Sequence, residues 1–222
     1  MKRFVVVGLG HFGSWAAQAL FAQGYEVIAV ETDPDLVDRH ARHLTRGVVG
    51  DATDRELLQE VGASGADAAI ISTGENLAVS VLATLALKDL GVTEIRVKVG
   101  SRDAARVLEA LGVSETIFPE REAAYRLAHR IASKAVFDYL PLAQGYSIQQ
   151  VAIPDAWLGK SLRELQLPRR HGINVVALFD VLSETLTPVP DPDRPLRESD
   201  LALVVGRDDT IAEVLTQSRR QA

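Results

Sequence analysis

The chain has 222 residues, which is enough for two domains at the usual size of roughly 100–200 residues each. Its 47% hydrophobic and 24% charged residues are typical of a water-soluble globular protein. The net charge is −6, whereas nucleic-acid-binding proteins usually have an excess of Lys and Arg, so we predict no nucleic-acid partner. The sequence contains no cysteine, which excludes disulfides and thiolate chemistry.

The N-terminus does not have the pattern of a signal peptide. Its apolar run, residues 4–7, stops at Gly8, whereas a signal peptide has an apolar region of about 7–15 residues. No stretch approaches the roughly 20 apolar residues of a membrane-spanning helix. We therefore expect a soluble chain, and any membrane role must come through a partner.

The first half of the chain alternates short β-branched runs with amphipathic stretches. The pattern predicts strands at 3–7, 26–30, 47–49, 68–72, 94–99 and 115–118, separated by helices at 12–23, 34–44, 54–61, 77–90 and 102–111. The strands are continuously apolar, as expected when helices cover both faces of a parallel sheet. We predict an α/β fold with a doubly wound parallel Rossmann sheet.

A long helix is predicted over residues 120–139, and a different pattern of short strands and helices follows it. This helix could cover the edge of the sheet or cross to a second subunit, and we favour the second reading. Short strands at 147–153, 174–179, 185–188 and 201–205, with helices at 161–165 and 210–218, then indicate a small α+β domain. The predicted domains are residues 1–137, which include the crossover helix, and residues 138–222.

A glycine-rich turn joins the first strand to the first helix and predicts a nucleotide site. Gly8 makes the tight turn, Gly10 allows close approach of a pyrophosphate, and Gly13 allows the helix to pack closely on the sheet. The helix N-terminus offers free N–H groups to a phosphate. His11 and Phe12 lie inside this turn and are part of the predicted site.

Polar residues after the next three strands extend this site. Glu31 ends the second strand, where it can accept hydrogen bonds from a ribose diol and repel a 2′-phosphate, although it could also be a solvated acid that caps a helix. The other predicted contacts follow the third and fourth strands: Asp51, Ala52, Thr53, Gly74, Glu75 and Asn76. Asp51, Thr53 and Asn76 could instead only cap the helices that follow them.

No catalytic constellation accompanies the predicted nucleotide site. A dehydrogenase needs an acid or base beside the nicotinamide, and the five histidines do not supply one in an obvious way. We predict no catalytic residue and no enzymatic activity. A small NAD-dependent oxidoreductase remains the alternative from another class, and a transcriptional redox sensor would need a DNA-binding segment that we do not find.

The combined motifs resemble the RCK (regulator of potassium conductance) family, in particular the KtrA and TrkA type of regulatory subunit. The resemblance runs through the whole chain. It rests on the glycine turn, on Glu31, on Gly50-Asp51-Ala52-Thr53, on Gly74-Glu75-Asn76, on Val97-Lys98-Val99, on Pro119-Glu120-Arg121-Glu122, and on the segments at 158–162, 171–176 and 200–206.

The resemblance implies a cytoplasmic regulatory subunit at the inner face of the plasma membrane. Such subunits form an octameric ring under a membrane potassium-translocating subunit of the KtrB or TrkH type, and nucleotide binding changes the shape of the ring. The ligand is ATP or ADP in the Ktr type and NAD(H) in the Trk type. The resemblance further implies that the small C-terminal domains pair, and that some relatives bind cyclic di-AMP between them.

The resemblance also assigns roles to residues outside the glycine turn. Lys98 matches a family position that can approach a phosphate, although it could equally be a paired surface lysine. Glu120 matches an acid that can bring Mg²⁺ or Ca²⁺ to the phosphates, although a helix start also favours a lone Glu. The cyclic di-AMP contacts carried over by position are Arg169, Ile173 and Asn174.

One departure from the family pattern concerns phosphate discrimination. The residue after the second glycine is typically Arg in Ktr-type relatives, where it reaches a γ-phosphate across a subunit interface, and here it is His11. A neutral or partly charged imidazole holds a third phosphate less firmly. We therefore expect weaker discrimination between ATP and ADP.

Overall fold

The computed structural model describes residues 1–74, 76–132 and 135–217. The chain separates into two compact units, Met1–Glu120 and Arg121–Ala222. None of the helices in these described ranges combines the length and the apolarity needed to cross a lipid bilayer.

The first unit is built on a six-stranded parallel sheet. Its strands are β1 (Arg3–Val7), β2 (Glu26–Glu31), β3 (Arg46–Val49), β4 (Ala68–Ile71), β5 (Ile95–Lys98) and β6 (Glu115–Ile117). They pair in the order β3-β2-β1-β4-β5-β6. The order reverses between β1 and β4, as in a Rossmann sheet. The predicted doubly wound fold is confirmed.

Helices connect these strands and cover the sheet on both faces. They are α1 (His11–Ala22), α2 (Pro34–His40), α3 (Arg55–Glu60), α4 (Leu77–Asp89) and α5 (Arg102–Ala110), with a 3₁₀ turn at Ala41–His43 after α2. A further helix, α6 (Pro119–Ala132), follows β6 and continues into the second unit. Val5 and Val7 belong to one buried cluster, and Val6 belongs to another. Successive residues of a strand point to opposite faces, so the continuous apolar run in β1 reflects burial on both sides.

The second unit contains a five-stranded antiparallel sheet. Its strands are β7 (Val136–Ala143), β8 (Tyr146–Ala152), β9 (Asn174–Asp180), β10 (Thr185–Pro188) and β11 (Asp200–Arg207), in the order β10-β9-β11-β8-β7. The helices of this unit beyond α6 are α7 (Leu162–Leu165), α8 (Leu167–His171) and α9 (Asp208–Gln217). The predicted small α+β fold is confirmed.

The predicted helix over residues 120–139 is wrong in its second half. The helix ends at Ala132, and β7 begins at Val136 and forms a hairpin with β8. Val136, Phe137 and Tyr139 are β-branched or aromatic residues that favour strands, and this preference prevails over the helical spacing of the apolar positions. The predicted domain limit after residue 137 therefore falls inside a strand. The limits 1–137 and 138–222 stay a prediction.

Candidate functional site

The glycine turn after β1 is packed so tightly that two of its glycines leave no room for a side chain. Gly8 has a φ of +88°, and a Cβ there would lie 2.3 Å from the carbonyl oxygen of Ser72. A Cβ on Gly13 would lie 1.9 Å from the carbonyl oxygen of Gly8. The turn therefore lies directly against the end of β4, and α1 packs against the turn.

Gly10 has a different environment from these two glycines. It is the N-cap of α1 with an ordinary φ of −60°, and no described atom would lie within 4 Å of a Cβ placed on it. No side chain among the described residues caps this helix. The N-terminus of α1 at Gly10 therefore has room for a ligand, and the N–H groups of the first turn of a helix are groups that bind a phosphate.

Glu31 ends β2 and holds the glycine turn with its carboxylate. Its Oε2 accepts a 2.6 Å hydrogen bond from the Leu9 N–H. Its Oε1 accepts from the N–H of Thr32 at 2.7 Å, from the Thr32 hydroxyl at 3.0 Å and from the N–H of Asp33 at 3.1 Å. Burial raises the pKa of this carboxyl, but the hydrogen bonds outweigh burial and hold the pKa below its ordinary value.

A cleft of about 380 Å³ lies at the carboxyl ends of β1, β2, β3 and β4. This is the edge of a doubly wound sheet at which ligands bind, because the strand order reverses there. The predicted residues that line it are Gly8, Gly10, Glu31, Asp51, Ala52, Gly74 and Asn76. His11, Phe12, Gly13, Thr53, Lys98 and Glu120 are not part of its lining. Glu75 lies outside the described residues.

Two of these lining residues also hold local structure. Asp51 accepts a hydrogen bond from the Thr53 N–H at 2.9 Å, while the N-cap of α3 is Asp54. Asn76 is the N-cap of α4 and accepts from the Val79 N–H at 3.2 Å. Their roles in ligand binding stay a prediction.

The sequence reasoning missed part of this lining. Thr32, Leu36, Ser72, Thr73 and Val79 also face the cleft. Thr32 directly follows β2, and Ser72 and Thr73 directly follow β4. Since parallel strands bring their carboxyl ends to one edge, a polar residue after each strand was the signal that could have identified Thr32, Ser72 and Thr73.

A second cleft of about 320 Å³ lies beyond β4 and is lined by Gly74, Leu77, Ser80, Lys98, Val99, Gly100, Ser101, Ala104 and Leu108. Gly74 lines both clefts. Lys98, at the end of β5, forms an ion pair of 2.6 Å with Glu120. The hydrogen bond from Lys98 holds the pKa of the Glu120 carboxyl below its ordinary value. The structure thus brings these two predicted residues together, outside the first cleft.

The described residues contain no group of three or more His, Cys, Asp or Glu side chains that could hold a metal ion. Glu120 is available as one carboxylate ligand, and its present partner is the ammonium of Lys98. The carboxylate is of the hard oxygen type that Mg²⁺ and Ca²⁺ prefer. A metal at Glu120 would need further ligands from a phosphate or from another chain, and it stays a prediction.

The second unit contains a cleft of about 600 Å³. Of the three residues predicted to contact cyclic di-AMP, Asn174 lines this cleft and Arg169 does not. Ile173 is only 1% exposed and packs in the core, so its side chain does not reach the cleft. Arg163 lines the cleft as well and is paired with Asp193.

Comparison with known proteins identifies both units. The family model of the TrkA-N domain matches residues 4–119, and that of the TrkA-C domain matches residues 148–217. Ktr system potassium uptake protein C of Bacillus subtilis is 35% identical over 205 residues, with 92% of each chain covered. Ktr system potassium uptake protein A of Vibrio alginolyticus is 32% identical over 214 residues, with 96% of each covered.

Solved structures of GsuK share the fold. The GsuK RCK domain superposes with a TM-score of 0.65 at 16% identity, over 97% of this chain and 47% of that one. The GsuK channel bound to NAD superposes with a TM-score of 0.65 at 15% identity, over 95% of this chain and 38% of that one. This chain thus spans less than half the length of the GsuK chains. The matched domains and the identity to the Ktr proteins show that the chain belongs to the RCK family and is a homologue of the Ktr and Trk regulatory subunits of potassium uptake systems.

Proposed function

We propose that this protein binds an adenine nucleotide in the cleft beside the glycine turn and thereby regulates a potassium uptake system. The observation that supports this best is the placement of Glu31, whose carboxylate lies in the cleft and also accepts from the N–H of Leu9 in the phosphate-binding turn. A ligand at Glu31 therefore contacts the group that holds the turn in place.

The cleft has a chemically distinct region for each part of an adenine nucleotide. The open N-terminus of α1 at Gly10 suits the phosphates. Glu31 suits the ribose diol, because the carboxylate oxygens have lone pairs beyond those used by the backbone. Leu36 and Ala52 provide apolar surface, and Asp51 a polar edge, on the side of the base.

ATP or ADP is the ligand we place first, and NAD(H) is the alternative. The second cleft favours the alternative, because it adjoins the first at Gly74 and could receive the second half of a dinucleotide. If the ligand is ATP or ADP, as in the Ktr type, the second cleft holds no part of the ligand, and Lys98 in that cleft approaches its phosphates. His11, at the start of α1, is exposed and does not line the cleft. It can therefore contact a γ-phosphate only if that phosphate extends out of the cleft.

The output of nucleotide binding is a change in an oligomer rather than a chemical reaction. We place the chain in the cytoplasm, in an octameric ring attached to a membrane potassium-translocating subunit of the KtrB or TrkH type. α6 supports this assembly, because Tyr125, Leu127 and Ile131 are exposed on it and none of its residues is buried. A nucleotide shifts the ring between two shapes only by its difference in affinity for them.

A cyclic dinucleotide such as cyclic di-AMP is the ligand we propose for the cleft of the second unit. Asn174 supplies an amide for a base edge, and Arg163 supplies a cation for a phosphate. Titration of the full chain with cyclic di-AMP tests this, with ATP as the competing nucleotide. An Asn174→Ala variant that binds cyclic di-AMP as well as the unchanged chain would contradict the placement.

The main experiment is titration calorimetry of the full chain with ATP, ADP, NAD⁺ and NADH, together with native mass spectrometry. We expect an adenine nucleotide to bind with micromolar affinity or tighter, and Glu31→Ala to weaken that binding at least tenfold. Glu60→Ala, a change of an exposed acid on α3, should leave the affinity unchanged. A monomeric chain that binds none of the four nucleotides would refute the proposal.

A further inference from the structure

The stretch from residue 39 to residue 46 forms a concentrated basic surface on an otherwise acidic protein. Its basic residues are Arg39, His40, Arg42, His43 and Arg46, and no acidic residue lies between them. We call this set the basic edge. It begins in the last turn of α2, continues through the 3₁₀ turn and ends at the first residue of β3.

The arginines of the basic edge are exposed, and none has an acidic partner in the part of the chain that the structure describes. Arg39, Arg42 and Arg46 are exposed, and none of them forms an ion pair with any residue in the described ranges. Among the described residues, the contact of the Arg46 guanidinium is a long hydrogen bond of 3.4 Å, which it donates to the carbonyl oxygen of Glu60. The three guanidinium groups are therefore available to an external anion.

The basic groups lie close enough to repel one another. Partial burial, together with the nearby charges of Arg39, His43 and Arg42, holds the pKa of His40 below its ordinary value. Elsewhere in the chain arginines meet carboxylates, as in the pairs Arg163–Asp193 and Arg207–Asp209. Arg39, Arg42 and Arg46 make no such pair among the described residues, so an anionic surface can supply their counter-charge.

The basic edge lies at the opposite end of the sheet from the nucleotide cleft. Arg46 opens β3, whereas Asp51 of the cleft follows the carboxyl end of the same strand. β3 is also an edge strand of the sheet. An extended surface can therefore reach the basic edge while the cleft stays open.

We propose that the basic edge docks on the anionic phospholipid headgroups of a membrane. This inference rests on the proposed function, which places the chain beside a membrane protein. A short, exposed cluster of arginines suits a negatively charged bilayer surface, to which each Lys or Arg near the surface adds about a fivefold gain in partitioning. A nucleic acid fits less well, because nucleic-acid-binding domains are usually basic overall and this chain has a net charge of −6.

The test is cosedimentation of the full chain with vesicles of phosphatidylcholine alone and of phosphatidylcholine with phosphatidylglycerol. We expect binding only to the anionic vesicles, with loss of binding in 0.5 M NaCl because salt screens the attraction. The double variant Arg39→Gln/Arg42→Gln should partition at least tenfold less. The matched control Arg102→Gln/Arg106→Gln removes the same charge from the exposed face of α5 and should bind normally.

Several results would overturn the inference. They are failure of the unchanged chain to bind anionic vesicles, equal loss of binding in both double variants, and binding of a 20-base-pair DNA duplex in preference to the vesicles. Nucleotide titration of Arg39→Gln/Arg42→Gln keeps the two proposals apart. If this variant binds both nucleotide and vesicles normally, the membrane contact alone is rejected. If the unchanged chain binds anionic vesicles but no nucleotide, the nucleotide site alone is rejected.

Discussion

The N–H of Leu9 donates a 2.6 Å hydrogen bond to Oε2 of Glu31, which joins the glycine turn after β1 to the end of β2. The two residues are 22 positions apart in the chain, and the parallel pairing of β1 with β2 brings them together. The same carboxylate therefore stabilises the turn and faces the cleft. Changes at Glu31 should affect both stability and ligand binding.

Glu31→Gln should remove a pH-dependent part of the stability. The folded-state pKa of Glu31 lies below its ordinary value of about 4.5, so its stabilisation is present above that value and is lost as the pH falls through the folded-state pKa. We expect the variant to be about 1–3 kcal/mol less stable at pH 7, with the difference shrinking towards pH 3. Urea unfolding across this range measures it, and a difference independent of pH would contradict the role.

Gly13→Ala should mainly reduce stability, whereas Gly10→Ala should mainly reduce nucleotide affinity. A Cβ at Gly13 would collide with the Gly8 carbonyl, and overpacking of this kind costs about 1–3 kcal/mol or more. A Cβ at Gly10 meets no described atom within 4 Å, so we expect a loss of less than about 1 kcal/mol there. Nucleotide affinity should nevertheless fall in Gly10→Ala, because the methyl group enters the phosphate space. Thermal unfolding and calorimetry, run on both variants, distinguish packing from binding.

Glu120→Gln tests whether a divalent cation accompanies the nucleotide. If Glu120 is a ligand of Mg²⁺ or Ca²⁺, the unchanged chain should bind ATP more tightly in the presence of the cation, and the variant should lose that dependence. Stability should change by less than about 1 kcal/mol, because the pair with Lys98 is exposed on the Glu120 side. Equal cation dependence in both proteins would exclude Glu120 as a ligand.

Arg194→Leu should destabilise the second unit. Asp200 is fully buried and accepts two hydrogen bonds from Arg194, at 2.8 and 2.9 Å, and one from the Arg197 N–H. Removal of the arginine leaves a buried carboxylate without its counter-charge, which costs about 3–5 kcal/mol.

The exposed pair Arg163–Asp193 supplies the control for this prediction. Both of its side chains are more than 60% exposed, so Arg163→Leu should cost less than about 1 kcal/mol. Chemical unfolding followed by the fluorescence of Trp157, which is buried in the second unit, compares the two variants. Equal losses would show that burial does not decide the strength of these pairs.

Pairing between adjacent strands in the second unit explains the one helix that was predicted wrongly. Alanines and a valine at helical spacing fit an extension of α6, but β7 is held by its partner β8 across the hairpin turn at Gly145. The helical periodicity of residues 120–139 contains no information about β8, because the residues of β8 lie outside that segment. The preference of Val136, Phe137 and Tyr139 for strands was the local sign.

The sequence alone determined the Rossmann sheet, the glycine turn and the place of Glu31, because apolar periodicity and glycine spacing are local properties of the chain. The tertiary structure decided which residues share a cleft. Thr32, Ser72 and Thr73 line it because β2 and β4 end at the same edge of the sheet, whereas His11 and Thr53 do not line it although they are neighbours of lining residues. The direction of a side chain depends on the packing of its element, and residues distant in sequence supply that packing.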